Sequence, residues 1–534
     1  MNRRSLILIV LFLALSLFGR DLWQQHFDLG GSINEGRDIT VASDGNIYVT
    51  GRSNAWAEGG FRTNNFDHEA FLIKIAPDGD ELWTNHYGQV GAFHSGGNIY
   101  GYYDAGWGIE STSDGGCIIV GKTQSPKWTE PMISDPDCIG WDNMLIIRID
   151  ADGDTLWTKG YGGFYYDRGW SIKQIPGTTD YIIIGTTHTL GPGAPSEAES
   201  NIWLAKVDSA GNMLGEVSFG EAGEVDDARW VATTSDGGYA FTGYYNRVYA
   251  DDSPTDTFDI DYTELCIVKT NSDLETLWEL TFPEAGDDRG RGIVGTPDGG
   301  VAVAVRSKSR AAPEFNRTHG WLIRVGPDGD TLWTKILGSD SLSDPVNSID
   351  ICEDNGFILG GSTRTYNPEG GTDAWLVRTD SLGNIIWQQN YFFGRDNSDV
   401  IYSVRAHPDG GFVATGYTKS FGYVDYSDVI ALKTDATGSV DWIYENEKVE
   451  YPQLQAEISP NPFSNYCNIE LEGIGSYSKI QIFDTQGKLI RDLGRVNSAR
   501  WDGKTDSGKK APAGIYLVRV TGSIAEPKRI VYMR

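Results

Sequence analysis

Short runs of apolar and β-branched residues alternate with polar turns along most of the chain. One representative segment contains four such runs, at Trp170–Ile175, Tyr181–Thr186, Asn201–Val207 and Met213–Phe219. Their length and their β-branched and aromatic content are typical of β-strands. The connecting turns contain Gly, Asp and Asn, which favour tight reversals of the chain. The pattern therefore predicts a repeating unit of four strands.

Two landmarks repeat along the chain and define the number of units. An Asp-Gly-Gly turn or a variant begins at Asp44, Asp114, Asp236, Asp298, Asp354 and Asp409, and Gly177 to Asp180 fills the remaining place. A tryptophan follows a second turn at Trp83, Trp157, Trp278, Trp333, Trp387 and Trp442, with Gly215 in its place once and Trp23 as an additional copy. Four strands in about 60 residues are typical of a propeller blade. The sequence predicts an all-β, seven-bladed β-propeller, and it leaves open whether Trp23 or Trp442 completes the last blade.

Two segments resemble known propeller repeats. Residues 37–51, RDITVASDGNIYVTG, resemble the NHL-type repeat, and residues 432–442, LKTDATGSVDW, resemble the repeat of quinoprotein propellers. The whole unit is similar to repeats of many exported bacterial propellers. The resemblance covers about residues 22–445 and implies the fold, but it implies no particular activity.

One face of the predicted propeller has much longer loops than the other. The connections between the first and second strands and between the third and fourth are tight turns, whereas the remaining connections are long and variable. Binding residues tend to lie on loops that a rigid scaffold positions. Aromatic side chains on these loops are candidates for stacking on sugar rings: Trp56, Tyr102, Tyr103, Trp128, Trp141, Tyr244, Tyr245 and Tyr423. The alternative is that they pack the loops onto the blades.

An acidic residue recurs near the start of the first strand of each unit. The positions are Asp104, Asp167, Asp227, Asp288, Asp344 and Asp399, with Asn34 in the first unit. An Asp side chain can accept hydrogen bonds from nearby backbone N–H groups, so one interpretation is a structural tie in every blade. The other interpretation is a ring of carboxylates at the channel mouth that attracts a cation.

The sequence contains no clear cofactor or catalytic motif. The turn Asp150 to Asp154 lacks the spacing of a calcium loop and is interpreted as a hairpin turn. A cluster at Asp251, Asp252, Asp256, Asp259 and Asp261 makes calcium possible, although a solvated run of charge is the simpler interpretation. No residue is assigned a catalytic role. The alternative to a binding protein is a propeller-fold glycan-processing enzyme, either a hydrolase or a lyase.

The first residues resemble an export signal. Two arginines precede the apolar run Leu6 to Phe18, which is too short to span a bilayer comfortably. We expect this segment to be cleaved and to leave no transmembrane span. Of the five cysteines, Cys117 and Cys138 share one repeat and are the pair that an exported protein could oxidise to a disulfide.

The repeat stops near Tyr451, and a different module follows. Short strand-like runs after residue 459 predict a small immunoglobulin-like β-sandwich. The blocks SPNPF at 459–463, IQIFDTQGKLIRDL at 480–493, WDGKTDSGKKAPAGIYLVRV at 501–520 and KRIVYMR at 528–534 resemble the type A C-terminal sorting domain of the type IX secretion system. A similar pattern occurs in the module of flagellar hook-capping proteins. The residues that carry the resemblance are Pro460, Asn461, Pro462, Trp501, Asp502, Gly503, Gly514 and Tyr516.

These features divide the chain into an export signal at 1–20, a propeller at 21–446, a linker at 447–458 and a sorting domain at 459–534. The resemblance implies the type IX secretion machinery as a partner and a secreted or cell-surface location. The formal net charge of −30 argues against nucleic acid as a ligand. We expect a binding or adhesion protein whose ligand is a glycan or a surface protein.

Overall fold

The computed structural model shows an all-β protein in which, among the described residues, neighbouring strands of every sheet are antiparallel and only isolated bridges are parallel. The structure describes residues 22–55, 68–88, 92–95, 98–101, 103–124, 142–163, 165–196, 199–249, 260–282, 287–309, 317–339, 342–365, 371–393, 398–421, 426–440, 455–472, 478–484, 488–496, 498–506, 508–521 and 528–533. Within these ranges no helix is long and apolar enough to cross a membrane. The predicted export signal lies outside them.

Seven four-stranded sheets, here called blades 1 to 7, follow one another along the chain. Blades 1 to 3 consist of β2 (Asn34–Val41), β3 (Ile47–Ser53), β4 (Glu69–Ile75) and β5 (Glu81–Tyr87); β8 (Ala105–Ser111), β9 (Cys117–Thr123), β10 (Asn143–Ile149) and β11 (Thr155–Tyr161); and β12 (Asp167–Gln174), β13 (Tyr181–Thr187), β14 (Asn201–Val207) and β15 (Met213–Phe219). Between blades 1 and 2, a two-stranded ribbon is formed by β6 (Ala92–Ser95) and β7 (Asn98–Gly101).

The remaining blades repeat the same order of strands. Blades 4 to 6 consist of β16 (Asp227–Thr233), β17 (Tyr239–Tyr249), β18 (Ile260–Thr270) and β19 (Thr276–Phe282); β20 (Arg289–Gly295), β21 (Val301–Ser307), β22 (His319–Val325) and β23 (Thr331–Leu337); and β24 (Val346–Ile351), β25 (Phe357–Thr363), β26 (Asp373–Thr379) and β27 (Ile385–Tyr391). Blade 7 contains β28 (Asp399–Ala406), β29 (Phe412–Thr418), β30 (Asp428–Thr434) and β1 (Trp23–Phe27).

The blades form a closed ring. The first strand of each blade contacts the first strand of the next, and β2 of blade 1 also contacts β28 of blade 7. The core between these two blades joins Ile39 and Phe71 of blade 1 to Val413 and Val429 of blade 7. The second and third strands are buried on both faces, because each blade is covered by its two neighbours. The predicted seven-bladed propeller is confirmed.

The N-terminal strand β1 completes blade 7 as its outermost strand. Trp23 pairs with Lys433 and Phe27 with Val429 in the register of β1 and β30. The fully buried indole of Trp23 donates a hydrogen bond of 3.1 Å to the carbonyl oxygen of Pro77 in blade 1. The additional tryptophan copy therefore closes the ring, and Trp442 lies outside the described residues.

The C-terminal residues form a second compact unit. One sheet contains β31 (Gln455–Ser459), β32 (Cys467–Glu472) and β35 (Ser498–Trp501), and the other contains β33 (Ser478–Asp484), β34 (Leu489–Val496), β36 (Gly514–Thr521) and β37 (Lys528–Tyr532). Ile469 of the first sheet and Ile482 and Val518 of the second belong to one buried core. This confirms the predicted small sandwich. Its first strand begins at Gln455, within the segment predicted as a linker.

Candidate functional site

A bulge in the inner strand of every blade sets one side chain apart from the strand pairing. The register between the first and second strands skips a single residue in each blade. A bulge leaves that residue unpaired and redirects its side chain. Because these strands are the innermost of the ring, the skipped residues form a circle, here called the collar: Arg37, Trp107, Trp170, Arg229, Arg291, Asn347 and Tyr402.

The collar residues contact one another from blade to blade. The guanidinium of Arg37 lies 4.4 Å from the ring centre of Tyr402 and 5.0 Å from that of Trp107. Trp107 meets Trp170 edge to face, with ring centres 4.6 Å apart. Arg229 then lies 4.4 Å from the ring centre of Trp170. Cation–π and edge-to-face contacts of this kind orient both partners.

A buried carboxylate orients the collar between blades 3 and 4. Trp170 Nε1 donates a hydrogen bond of 2.8 Å to Thr186 Oγ1, and Thr186 Oγ1 donates one of 2.5 Å to Asp227 Oδ1. The other oxygen, Oδ2, accepts a hydrogen bond of 2.8 Å from Arg229 Nε. Burial by itself raises the pKa of Asp227, but Arg229 and Thr186 outweigh burial and lower it. Asp227 is therefore an ionised carboxylate that positions Arg229.

A second layer of side chains surrounds the collar on the face with the long loops. We call this layer the mouth: Glu35, Arg52, Tyr103, Lys122, Asp142, Arg168, Tyr244, Arg289 and Arg306. Its members lie at the start of first strands, at the end of second strands or in the adjoining loops, except that Tyr244 lies within β17, opposite Asp227 at the start of β16. It thus belongs to the face that the sequence predicted for binding.

In blades 1 and 2 the mouth is a network of cations around one carboxylate and one tyrosine. Arg52 Nε donates a hydrogen bond of 2.8 Å to Glu35 Oε2, and Arg37 also contacts that oxygen. Arg52 donates a further hydrogen bond to Tyr103 Oη. Lys122 Nζ lies 3.6 Å from the centre of the Tyr103 ring. Burial raises the pKa of Glu35, but Arg37 and Arg52 outweigh it and lower the value to about 2.

The network continues into blade 3 through one carboxylate. Asp142 accepts a hydrogen bond of 3.2 Å from Lys122 Nζ and one of 2.5 Å from Arg168 Nε. The Asp142 side chain is 1% exposed, whereas that of Arg168 is 34% exposed. Burial raises the pKa of Asp142, but Lys122 and Arg168 outweigh burial and lower it. One buried carboxylate therefore pairs with two cations and neutralises only one of their two positive charges.

Blades 4 and 5 concentrate positive charge. Arg289 lies opposite Arg306 in the register of neighbouring strands and 4.8 Å from the ring centre of Tyr244, and its Nε atom donates a hydrogen bond of 2.6 Å to Asp287 Oδ1. Burial lowers the pKa of Arg291 to about 9, and repulsion from Arg229, Arg306 and Arg289 adds to this effect against the attraction of Asp227. In the described part of the chain, Arg291 forms no ion pair, and its buried Nε atom has no hydrogen-bond partner.

The recurrent acidic position ties the loops of each blade to its inner strand. In blade 6, Asp344 Oδ1 accepts hydrogen bonds from Thr363 Oγ1 at 2.6 Å and from the amide of Arg364 at 3.0 Å, and Oδ2 accepts one of 2.8 Å from the amide of Ser339. Related bonds reach the other members of the set, which are fully buried: Asn34, Asp104, Asp167, Asp288 and Asp399. This geometry corresponds to the structural interpretation of the repeat.

In blade 4 this position belongs to Asp226, one residue before the predicted Asp227. The Oδ1 atom of Asp226 accepts a hydrogen bond of 3.1 Å from the amide of Asn246, and Oδ2 accepts one of 3.2 Å from the amide of Glu221. Neighbouring residues of a strand point to opposite sides. Asp227 therefore lies on the side of the collar, where it positions Arg229.

The aromatic residues predicted for the binding face have different positions. Tyr103 and Tyr244 are half-buried and lie in the mouth. Tyr245 is 3% exposed and belongs to the core between blades 3 and 4. Others lie outside the described residues: Trp56, Tyr102, Trp128, Trp141 and Tyr423.

No cofactor site emerges from the part of the chain that the structure describes. No group of three or more His, Cys, Asp or Glu side chains there is placed to bind a metal ion. Asp150 Oδ1 accepts hydrogen bonds from the amides of Asp152 at 3.0 Å and Asp154 at 2.9 Å, as expected for a hairpin turn. The acidic cluster from Asp251 to Asp261 lies outside the described side chains. Cys117 is buried in the core between blades 1 and 2, and Cys138 lies outside the described residues.

Sequence reasoning missed the collar, although the chain contains a signal for it. With Asp226 as the acidic residue of blade 4, each collar residue stands three positions after the recurrent acidic or asparagine residue. Arginine or an aromatic residue occupies this position in six of the seven blades, and Asn347 occupies it in blade 6. The bulge itself is invisible in the alternation of polar and apolar residues.

Solved structures with related folds include enzymes and a peptide-binding protein. Puromycin hydrolase is 12% identical at a TM-score of 0.44, and the match covers 83% of this chain and 59% of the hydrolase. YCF48 bound to D1 peptide is 12% identical at 0.39, covering 77% and 94% of the two chains. An α-L-arabinofuranosidase from Fusarium graminearum is 10% identical at 0.39, covering 66% and 94%. No curated protein sequence matches the chain.

In the C-terminal unit, the residues that carry the sequence resemblance organise the core and its edge. Trp501 is 1% exposed and meets Tyr516 with ring centres 4.9 Å apart. Asn461 Nδ2 donates a hydrogen bond of 2.8 Å to the carbonyl of Arg529 and Oδ1 accepts one of 2.9 Å from the amide of Val531, which fixes the entry segment to β37. Gly503 has a φ of 69° and lies against the Tyr532 ring.

This part of the chain also matches a known protein family. Residues 457–532 match the family of secretion system C-terminal sorting domains. The match agrees with the motifs between Pro460 and Tyr516, and it implies the secretion machinery as a partner. The chain thus has a seven-bladed β-propeller followed by a type IX C-terminal sorting domain, which directs it to the outer surface or the extracellular space.

Proposed function

We propose that the propeller is a secreted or cell-surface binding protein whose ligand is a glycan or a surface protein. The observation that carries this proposal is the collar and its mouth, where aromatic and cationic side chains converge on the face with the long loops. Aromatic rings stack on the apolar faces of sugars, and aromatic residues and arginine are common at protein interfaces. The N-terminal export signal would take the chain to the periplasm before the sorting domain acts.

The carboxylates of the site support binding rather than acid–base chemistry. A glycan hydrolase needs one carboxylic acid that is protonated at working pH beside a second carboxylate. In the described part of the site, the carboxylates Glu35, Asp142 and Asp227 form ion pairs with arginine, and these pairs lower their pKa. Groups that remain ionised can orient arginine side chains but do not donate a proton.

A binding screen combined with a turnover assay tests this proposal. The purified full-length protein is applied to an array of bacterial and host glycans and, separately, to surface proteins. Every ligand found is then incubated with the protein in solution. We expect retention of at least one ligand class without new products. Release of cleaved saccharides would instead support the glycan-processing enzyme, and retention of no glycan and no surface protein would contradict the binding function.

A further inference from the structure

We propose that the collar and mouth bind an acidic sugar residue, in which arginine side chains pair with the carboxylate or sulfate and aromatic side chains contact the ring. This inference rests on the proposed binding function and specifies its ligand class. A planar guanidinium group can donate two parallel hydrogen bonds to the oxygens of a carboxylate or a sulfate. A pyranose has apolar faces that stack on indole and phenol rings.

The sign of the charge in the site is opposite to that of the protein. The chain has a formal net charge of −30. Among the described residues of the collar and mouth and their ion-pair partners, cations nevertheless outnumber carboxylates: Arg37, Arg52, Lys122, Arg168, Arg229, Arg289, Arg291 and Arg306 stand against Glu35, Asp142, Asp227 and Asp287. A cleft lined by one sign of charge focuses its field and attracts ions of the other sign. The excess of cations therefore points to an anionic ligand.

Several donors in the collar lack an acceptor. The buried atoms Arg37 Nε, Trp107 Nε1 and Arg291 Nε have no hydrogen-bond partner among the described residues. Buried polar groups are almost always hydrogen-bonded in native proteins, and a cluster of exceptions needs an explanation. All three are N–H donors, so a group rich in acceptor oxygens would satisfy them.

Solvent can reach the cations that would meet this ligand. The side chains of Arg168 and Arg229 are 34% exposed and that of Arg289 is 33% exposed, although each guanidinium also pairs with one carboxylate, of Asp142, Asp227 and Asp287 in turn. Their aromatic neighbours are already fixed, because Trp170 donates to Thr186 and Tyr244 lies beside Arg289. Preorganised side chains lose little entropy when a ligand binds. The site therefore suits one compact anionic ring, and the strongly acidic remainder of the protein disfavours a long nucleic acid.

The experiment uses the purified full-length protein in isothermal titration calorimetry with three hexasaccharides and one oligonucleotide. Oligogalacturonate carries only carboxylates, a κ-carrageenan fragment carries only sulfates, and a β-1,4-galactan is neutral; the fourth probe is a single-stranded DNA hexamer. We expect binding of oligogalacturonate or of the sulfated fragment, with the neutral saccharide and the DNA at least about tenfold weaker. The two anionic saccharides identify which acid group is recognised.

Variants assign the binding to the collar. Arg229→Gln and Arg291→Gln should each weaken binding of the anionic saccharide by about 10- to 100-fold. Arg500→Gln is the matched control, because Arg500 lies 4.2 Å from the Tyr466 ring centre in the C-terminal unit and makes the same kind of contact outside the propeller. It should bind like the unmodified protein. Thermal unfolding of each variant confirms that it is folded.

Three results would overturn the inference. The first is equal affinity for the neutral saccharide or the DNA, and the second is unchanged affinity in both collar variants. The third is no binding of either anionic saccharide. If the protein then still retains neutral glycans or surface proteins in the screen above, the binding function stands and only its acidic ligand is wrong. If it retains nothing, both fail.

Discussion

Arg405 of blade 7 donates a hydrogen bond of 2.6 Å to Asp38 of blade 1, and the two side chains are only 11% and 2% exposed. Asp38 Oδ1 also accepts a hydrogen bond of 2.6 Å from Ser403 Oγ, and its Oδ2 accepts one of 3.0 Å from the amide of Ile109 in blade 2. One carboxylate thus joins the last blade to the first and the first to the second. The closure of the ring between blades 7 and 1 therefore depends on an ion pair as well as on apolar packing.

The variant Asp38→Ala should be strongly destabilised, because it leaves Arg405 as an unpaired buried charge. Removing one partner of a buried pair lowers the free energy of unfolding by about 3–5 kcal/mol. Glu110→Ala is the control, since Glu110 of blade 2 pairs with Lys173 of blade 3 but the two side chains are 22% and 26% exposed, and it should cost about 1 kcal/mol or less. Chemical denaturation followed by tryptophan fluorescence measures both. Equal losses would contradict the role of Asp38 in closure.

Closure should also depend on the N-terminal strand. Trp23→Ala removes a fully buried indole and its bond to Pro77, so we expect a loss of about 3–5 kcal/mol in the free energy of unfolding. Trp387 occupies the same position in blade 6, where its indole donates 2.9 Å to Ala436 but remains partly exposed. Trp387→Ala should therefore lower the free energy of unfolding by less than Trp23→Ala. The same denaturation assay compares the two, and a larger loss for Trp387→Ala would argue against closure through β1.

Much of the fold is predictable because its signals are local. The strands Asn201–Val207 and Met213–Phe219 have the bounds that the polar and apolar pattern predicts. Closure by Trp23 is not predictable, because Trp442 presents the same local pattern and the choice depends on pairing with a strand about 400 residues away in sequence.

The candidate site is less predictable than the fold. The loop face follows from strand direction, and Tyr103 and Tyr244 do lie in the mouth. The collar depends on bulges, and a contact such as that of Arg37 with Tyr402 exists only once the ring is closed. The choice between Asp226 and Asp227 depends on strand register, which two adjacent acidic residues leave open.

The recurrent acidic residues should differ in how pH changes their contribution to stability. Burial raises the pKa of Asp399 from 3.8 to about 7, against the hydrogen bonds of Thr418 and Ser420. Between these values the unfolded chain binds fewer protons than the folded protein, so stability decreases as the pH rises. Asp399→Asn cannot ionise. Its stability relative to the unmodified protein should improve by about 1–2 kcal/mol between pH 5 and pH 8.

Asp344→Asn is the matched control for this pH dependence. Burial raises the pKa of Asp344, but hydrogen bonds from Thr363 and from the amide of Ser339 outweigh it and lower the value. Its contribution to stability is present above the unfolded pKa and is lost as the pH falls. Asp344→Asn should therefore gain nothing between pH 5 and pH 8. Denaturant titrations at each pH measure the free energy of unfolding of both variants. If the two variants change by the same amount relative to the unmodified protein between pH 5 and pH 8, the opposite pKa shifts of Asp399 and Asp344 are contradicted.

The C-terminal unit should determine where the protein accumulates. A chain truncated after Glu450 lacks the residues that match the sorting family, and we expect it to remain in the periplasm. Cell fractionation and antibody labelling of intact cells measure its location. As the reciprocal control, residues 451–534 fused to a periplasmic passenger should carry that passenger to the surface. Surface labelling of the truncated chain would show that another segment directs export.

Arg291 should combine a cost in stability with a role in binding. Its buried Nε atom lacks a partner, and burial and three neighbouring arginines lower its pKa to about 9. Functional sites often retain such unfavourable arrangements. Arg291→Gln should therefore raise the free energy of unfolding by about 0.5–1.5 kcal/mol in the absence of ligand, because it removes like-charge repulsion.

Arg324→Gln is the matched control, and unlike Arg291→Gln it should lower the free energy of unfolding. Arg324 Nη2 donates two hydrogen bonds of 2.6 Å to Asp298, and Nη1 donates one of 3.2 Å to the carbonyl of Val301. Its removal should lower the free energy of unfolding by about 1–3 kcal/mol. Thermal unfolding of both variants at low ionic strength checks the pair. If Arg291→Gln loses as much stability as Arg324→Gln, Arg291 has a structural role, and the collar is not strained by its own charge.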